Sequence, residues 1–382
     1  MRLPELLPED WVSARLLGRI LTADGPTPVL VDRGRLFDIS SVAPTTADAV
    51  LKAGSALSGG IDMGPVAELT ATAVWSEPGE LDLLSPLDLQ CVKASGVTFA
   101  VSALERVIEE RARGDATRAA EIRTGLADRI GSDMAAVKPG SEQAMALKQA
   151  LIADGLWSQY LEVAIGPDAE IFTKAPVLSS VGWGAYVGVR SDSAWNNPEP
   201  EVVLVCDAEG RAVGATLGND VNLRDIEGRS ALLLGKAKDN NAAAAVGPFI
   251  RLFDDDFTLD DVRGATVNLT VTGEDGFVLQ GSSSMALISR DPEELARQAS
   301  GSQHQYPDGF ALYLGTMFAP IEDRGTPGGG FTHRLGDRVR VSSPRLGVLE
   351  NKVTTCDQAP PWTLGISTLM KNLARRGLLE GE

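Results

Sequence analysis

The stretch from Trp195 to Val205, WNNPEPEVVLV, sets two glutamates two residues apart at the head of an apolar, largely β-branched run. In an extended strand residues i and i+2 point to the same face, so Glu199 and Glu201 project side by side from the start of a buried strand. Unpaired, they repel. A solvated strand edge, where acidic residues block aggregation, is one explanation. The next segment, ATLGNDVNLRD from Ala215 to Asp225, offers another, because Asp220 follows a Gly-Asn turn at the end of a second strand-like run. Three carboxylates on stiff elements form an oxygen-only ligand set. Such a set suits a hard divalent cation, magnesium first, with positions left for water or substrate.

The composition narrows what such a centre can serve. The chain has 382 residues, 43% hydrophobic and 23% charged, which is ordinary for a globular protein and long enough for two domains. With 35 Lys+Arg against 52 Asp+Glu the formal net charge is −17, a field that repels a phosphate backbone, and no basic stripe with interleaved aromatics overrides it. Nucleic acid is excluded as an expected partner. No apolar run is long enough to span a bilayer, and the start, MRLPELLPEDWVSARLL, is acidic and Pro-interrupted where a signal peptide is basic and then apolar. The expectation is a cytoplasmic protein. Cys91, Cys206 and Cys356 are odd in number and far apart, as for reduced structural thiols. His304 and His333 are the only histidines, which disfavours Ser-His-Asp, Cys-His and histidine-rich zinc sites.

Along the chain, residues 14–76 alternate short apolar runs with Gly/Pro/Asp turns and carry a helical patch near residues 48–57, predicting a small N-terminal α+β domain over 1–83. WSEPGELDLLSPLD leads into a main domain over 84–382. A helical insertion is expected at about 103–160, where ALERVIEERARG, TRAAEIRTGLADRI and SEQAMALKQALIADGL carry apolar residues at three- and four-residue spacing. Beyond Glu162 the pattern is strand-rich. The glycine-rich segment IEDRGTPGGGFTHRLGD, Ile321 to Asp337, reads as a loop, since no Lys-Ser/Thr follows it as a phosphate cradle requires. The acidic run FDDDFTLDDVRG lacks the glycine and closing glutamate of a calcium loop.

Further residues follow the carboxylates in a fixed order. The pattern E-x-E, then G-N-D-x-x-x-R-D, then a lysine ahead of G-P in LLGKAKDNNAAAAVGPF, then G-D-x-x-x-x-S-S-P near the C-terminus, resembles the fumarylacetoacetate hydrolase family over roughly residues 84–349. The resemblance implies an α+β protein whose catalytic domain is a rolled, mixed β-structure. It also implies a divalent metal, Mg2+ with Mn2+ as a substitute, on Glu199, Glu201 and Asp220. The family's active-site lysine, nine residues before the glycine of Gly-Pro, falls on Lys238 rather than Lys236, and its polar turn residue on Ser343. Arg224, of the matched Arg-Asp, reads as structural support for the metal loop, Lys174 in FTKAP as a partner for a substrate carboxylate, and His304 as an exposed loop residue.

One departure decides the expected reaction. Where hydrolytic members carry Asn-Tyr-x-x-His-x-x-Glu, this chain has GVTFAVSALERV, so Ser102 replaces the water-activating histidine while Glu105 keeps the glutamate. A serine without a partner is no base near pH 7. With NPEPE and GNDVNLRDIEGRSALLLGKAKD, this stretch is similar to the family's sugar-acid dehydratases. It implies loss of water from 2-keto-3-deoxy-D-xylonate to give 2,5-dioxopentanoate, α-ketoglutarate semialdehyde, in non-phosphorylative D-xylose catabolism, by a soluble homodimer or homotetramer. Such a β-elimination needs a Lewis acid to stabilise an enolate and protein groups to move protons. Lys238, with a pKa lowered by burial, and either Glu105 or Glu109, one helical turn further on, are the expected proton carriers, and Ser102 lies beside them as a substrate contact. Acylpyruvate hydrolysis and oxaloacetate decarboxylation remain open on the same metal logic, as does a non-catalytic keto-acid binding protein.

Overall fold

The computed structural model describes residues 1–53, 57–119, 121–122, 137–318, 320, 322–324 and 330–379. The stretch TRAAEIRTGLADRI lies mostly outside them, as do parts of the glycine-rich segment that begins at Ile321.

The strands run in chain order as β1 (Leu16–Thr22), β2 (Gly25–Asp32), β3 (Arg35–Asp38), β4 (Ile61–Pro65), β5 (Asp82–Leu83), β6 (Cys91–Gly96), β7 (Glu170–Ala175), β8 (Tyr186–Val189) and β9 (Asn196–Asn197). They continue as β10 (Pro200–Cys206), β11 (Ala212–Asp220), β12 (Asn222–Leu223), β13 (Ala244–Leu252), β14 (Thr266–Thr272), β15 (Val278–Ser284), β16 (Phe310–Tyr313), β17 (Arg338–Ser343) and β18 (Gly347–Thr355). One large sheet has the order β4-β3-β2-β1-β13-β11-β10-β16-β6-β7, with β5 on β1; a second runs β15-β14-β17-β18-β8; and β9 and β12 form a short ribbon. Both sheets are mixed, since β16 lies parallel to β6 and β18 parallel to β8. Pairing of Leu16 with Arg251 and Leu17 with Ile250 joins the N-terminal strands to the central sheet. The boundary expected near residue 84 is therefore crossed by a continuous hydrogen-bonded ladder.

Strand β10 is buried along its whole length, as the apolar run after Glu201 predicts. Its side chains alternate between two cores: Val202 and Leu204 pack with Leu217 and Ala215, and Val203 and Val205 pack with Tyr313, Val246 and Ile250. Each fully buried valine or leucine contributes about 1.5–3 kcal/mol by leaving water. This fixes the register that carries Glu201 onto the Val203–Val205 face. Helix α1 (Thr46–Leu51) begins on the capping residue Thr45, whose hydroxyl accepts from the Asp48 N–H. The insertion supplies α2 (Ala100–Ala112), α3 (Glu142–Ala153) and α4 (Gln159–Ile165), which share a core of their own that includes Trp195. Two short helices, α5 (Arg224–Glu227) and α6 (Leu234–Lys238), follow β12 and bring Lys238 back to the carboxylates. Among the described residues no helix is long and apolar enough to cross a membrane.

Candidate metal centre and active site

Antiparallel pairing sets Glu201 opposite Gly218 and Pro200 opposite Asn219, and the Asp220 amide donates to the Glu199 carbonyl at 3.0 Å. The adjoining ends of β10 and β11 thereby gather Glu199, Glu201 and Asp220, which offer carboxylate oxygens within 4.8 Å of one another. All three are buried. Lys238 Nζ donates to Glu199 Oε2 and, at 2.9 Å, to Asp220 Oδ2. Behind them the fully buried Lys174 places its ammonium 2.7 Å from Asp220 Oδ1 and donates to the carbonyls of Val221 at 3.0 Å and Lys238 at 2.6 Å. Gly315, just past β16, donates its N–H to Glu201 Oε2 at 2.6 Å.

These groups open into a cavity of about 30 Å3 lined also by Ser95, Ser102, Arg106, Glu170, Glu227 and Thr316, room for roughly two water-sized groups. Five carboxylates line it against two cations, Arg106 and Lys238. Burial, with Asp220 and Glu199 beside it, pushes the Glu201 carboxyl well above the usual carboxylate range. Burial alone would raise Asp220 too, but Lys174 and Lys238 outweigh it and hold Asp220 low. Burial likewise pushes Glu227 up to about 7 against the pull of Arg106, and raises Glu170. Crowded, desolvated oxygen ligands with excess negative charge fit a hard divalent cation, which would neutralise the repulsion that their burial creates.

The structure corrects several expectations. Burial does not bring Lys238 toward neutrality: it lowers the pKa, but Asp220, Glu199 and Glu227 together outweigh it and hold the ammonium above its ordinary value. Glu105 and Glu109 do not line the cavity, because Arg224 captures both, Nε donating to Glu109 Oε1 at 2.5 Å and Nη2 reaching Glu105 Oε2 at 3.3 Å. Arg224 therefore ties α2 to α5 rather than pairing with Asp225, whose carboxylate accepts from Ser193 and the Ala194 N–H. The three donors of Lys174 are spent on Asp220 and two carbonyls, which leaves none for a substrate. Ser343 ends β17 and lines two surface recesses, one of them beside the N-terminal segment, not the cavity. Ser102 does line it, yet its hydroxyl donates to the Phe99 carbonyl at 2.8 Å, so toward a ligand it can only accept. His304 is exposed, and neither histidine lines the cavity.

Sequence reasoning missed Arg106, Glu170, Glu227 and Thr316. Glu170 has a signal in its neighbour across β6 and β7, since Gly96 pairs with it and a Cβ on Gly96 would stand 2.0 Å from Glu170 Oε2. Only glycine admits that carboxylate. Gly96→Ala is expected to displace the flexible end of Glu170 and lower kcat/KM about 10²-fold while leaving the thermal melt, followed by circular dichroism, essentially unchanged. A variant of unaltered activity would show that the position of Glu170 is immaterial.

The strand-rich mixed fold, with a buried Glu-x-Glu pair and an aspartate at the ends of adjacent strands, is the arrangement that the sequence motifs suggest. No family model matches the chain. By sequence it is similar to a protein of Haloferax volcanii named probable 2-keto-3-deoxyxylonate dehydratase, 26% identical over 268 residues that cover 64% of this chain and 89% of that one. It is also similar to the 2-dehydro-3-deoxy-D-arabinonate dehydratase of Saccharolobus solfataricus, 34% identical over 156 residues, 41% of this chain and 51% of that one. Among solved structures it shares the fold of 2-keto-3-deoxy-D-arabinonate dehydratase complexed with magnesium and 2,5-dioxopentanoate, with TM-score 0.63, 21% identity, and 89% of this chain and 99% of that chain covered. The fumarylacetoacetate hydrolase of Exiguobacterium antarcticum aligns with TM-score 0.53 at 16% identity, covering 90% of this chain and all of that one.

Proposed function

We propose that the chain is a metal-dependent dehydratase of 2-keto-3-deoxy-pentonates, acting on 2-keto-3-deoxy-D-xylonate to yield 2,5-dioxopentanoate. The observation that carries this reading is one cavity in which the Glu199–Glu201–Asp220 triad faces Lys238 and Glu170. The names of the two relatives support it. Glu199, Glu201 and Asp220 would hold a divalent cation, which when bound would supply the Lewis-acid chemistry that favours loss of a C3 proton from a 2-keto acid. Glu170, whose raised pKa makes it a stronger base than an exposed glutamate, accepts the C3 proton. Lys238, held as an ammonium by its carboxylates, gives a proton to the C4 hydroxyl as the C4–O bond breaks, so that water leaves. Transfer of a proton from C5 to C3 of the unsaturated product gives an enol with a C4–C5 double bond, and loss of its hydroxyl proton with protonation of C4 gives the aldehyde. Lys174 holds Asp220 in place from behind.

Hydrolysis of an acylpyruvate is disfavoured by the same cavity. It needs a base that activates water at the position of Ser102, and that hydroxyl caps its helix on Phe99. Turnover of 2-keto-3-deoxy-D-xylonate, read as semialdehyde through a coupled aldehyde dehydrogenase, is expected with Mg2+ and is expected to vanish with EDTA. The arabinonate epimer, an acylpyruvate and oxaloacetate serve as rivals. Cleavage of the acylpyruvate or decarboxylation of oxaloacetate while the sugar acids survive would refute the dehydratase reading.

A further inference from the structure

We infer that Arg106 is a displaceable counter-cation of the metal centre that becomes the anchor for a carboxylate of the keto-acid substrate once the metal is in place. The inference rests on the reading of Glu199, Glu201 and Asp220 as metal ligands and goes beyond it, to the order in which the site fills. Arg106 projects from α2 into the cavity and is bound by three carboxylates: Nη1 reaches Glu109 at 2.7 Å and Glu227 at 2.8 Å, and Nη2 reaches Glu199 Oε1 at 2.6 Å. The other oxygen of Glu199 is held by Lys238. Both oxygens of this candidate ligand thus carry a cation of the chain, and a metal ion that takes Glu199 competes with these two cations for its charge.

Arg106 is the cation that yields at smaller loss. It gives up one carboxylate of three and keeps both partners of Nη1, so the guanidinium stays tethered at the cavity wall with Nη2 freed. A planar fork with free N–H groups matches a carboxylate better than any other side chain does. Among the described residues that line the cavity, only Arg106 and Lys238 are cationic, and the proposed reaction commits Lys238 to proton transfer. Five lining carboxylates repel an anion while Arg106 remains on Glu199. Metal binding removes that repulsion and releases the anchor in one step, so metal precedes keto acid.

Calorimetric titration of Mg2+ alone, then of oxalate as a probe with and without Mg2+, tests this in wild type, Arg106→Gln and Arg106→Lys. Wild type is expected to bind oxalate only with Mg2+. Arg106→Gln is expected to bind Mg2+ at least as tightly as wild type, since a competing cation is gone, and to bind oxalate in the Mg2+ form about 10- to 100-fold more weakly. Arg106→Lys keeps the charge but not the fork, and is expected to recover only part of the oxalate affinity. It also serves if the glutamine variant does not fold. A loss of Mg2+ affinity in either variant would make Arg106 a support of the ligands, and unchanged oxalate affinity would place the carboxylate elsewhere; both outcomes overturn the proposal. Wild type that binds no Mg2+ would sink the metal reading and this inference together, whereas binding as expected without dehydration of the sugar acid would refute only the proposed reaction.

Discussion

Lys238→Met is expected to lower kcat by about 10²- to 10⁴-fold, the usual worth of a positioned proton-transfer group, while the protein stays folded and still binds Mg2+. The expectation follows from how the charges around Lys238 are shared. Removal of the ammonium takes one cation from Glu199 and one from Asp220. Neither carboxylate is stranded, because Arg106 still holds Glu199 at 2.6 Å and Lys174 still holds Asp220 at 2.7 Å. The methionine fills most of the lysine stem's volume and leaves the triad's oxygens more open to a cation. Steady-state turnover at saturating Mg2+, with calorimetric Mg2+ binding in parallel, checks both halves. A fall in kcat of less than tenfold would remove Lys238 from the proton-transfer step. A loss of Mg2+ binding along with activity would instead assign it to the architecture of the site.

How far the sequence reveals this site depends on the distance over which each contact forms. Glu199 and Glu201 are legible because strand geometry alone puts i and i+2 on one face, and Asp220 because a short turn returns the next strand beside the first. Lys238 is legible through its spacing to Gly247-Pro248. The mixed β-architecture follows from the strand-rich second half and is borne out by the shared fold. Residues contributed by distant elements are not legible in this way. Glu170 and Arg106 reach the cavity only because β7 pairs with β6 and α2 packs over the strand ends, and neither event has a local signature. Glu105 and Glu109 show the converse. They share a helical face with Ser102 and Arg106, so periodicity places all four toward the site, yet the shorter carboxylates are intercepted by Arg224 whereas the longer guanidinium extends past them. The expected pKa of Lys238 failed for a related reason: burial was visible as a tendency, but the number of carboxylates enclosing the ammonium was not.

Arg224→Met is expected to cost about 3–5 kcal/mol of folding stability, the range for breaking a buried ion pair from one side. Arg224 is 2% exposed and joins three pieces of chain, through Glu109 at 2.5 Å, Glu105 at 3.3 Å and the Pro320 carbonyl at 3.2 Å. Its guanidinium also stacks 4.6 Å from the Trp195 ring centroid. Methionine restores much of the contact with Trp195 but leaves Glu109, itself fully enclosed, with Arg106 as its remaining cation among these contacts. The cost therefore lies mainly in a fully buried carboxylate left with one shared cation in place of two, rather than in lost packing. If so, Glu109→Gln in the Arg224→Met background should return at least half of the loss, a coupling that urea denaturation of the two single variants and the double variant measures directly. The pH dependence has a definite sign. Burial raises the pKa of Glu109, but Arg224 and Arg106 outweigh it and leave the folded value lowered. Glu109 thus contributes stability that is full above the ordinary glutamate range and is lost as pH falls through the folded value. The gap between wild type and Arg224→Met should accordingly be widest near neutrality and narrow on acidification. A gap that stays constant, with strictly additive single and double variants, would show that Arg224 stabilises the fold by shape alone and that α2 is not held over the site by charge.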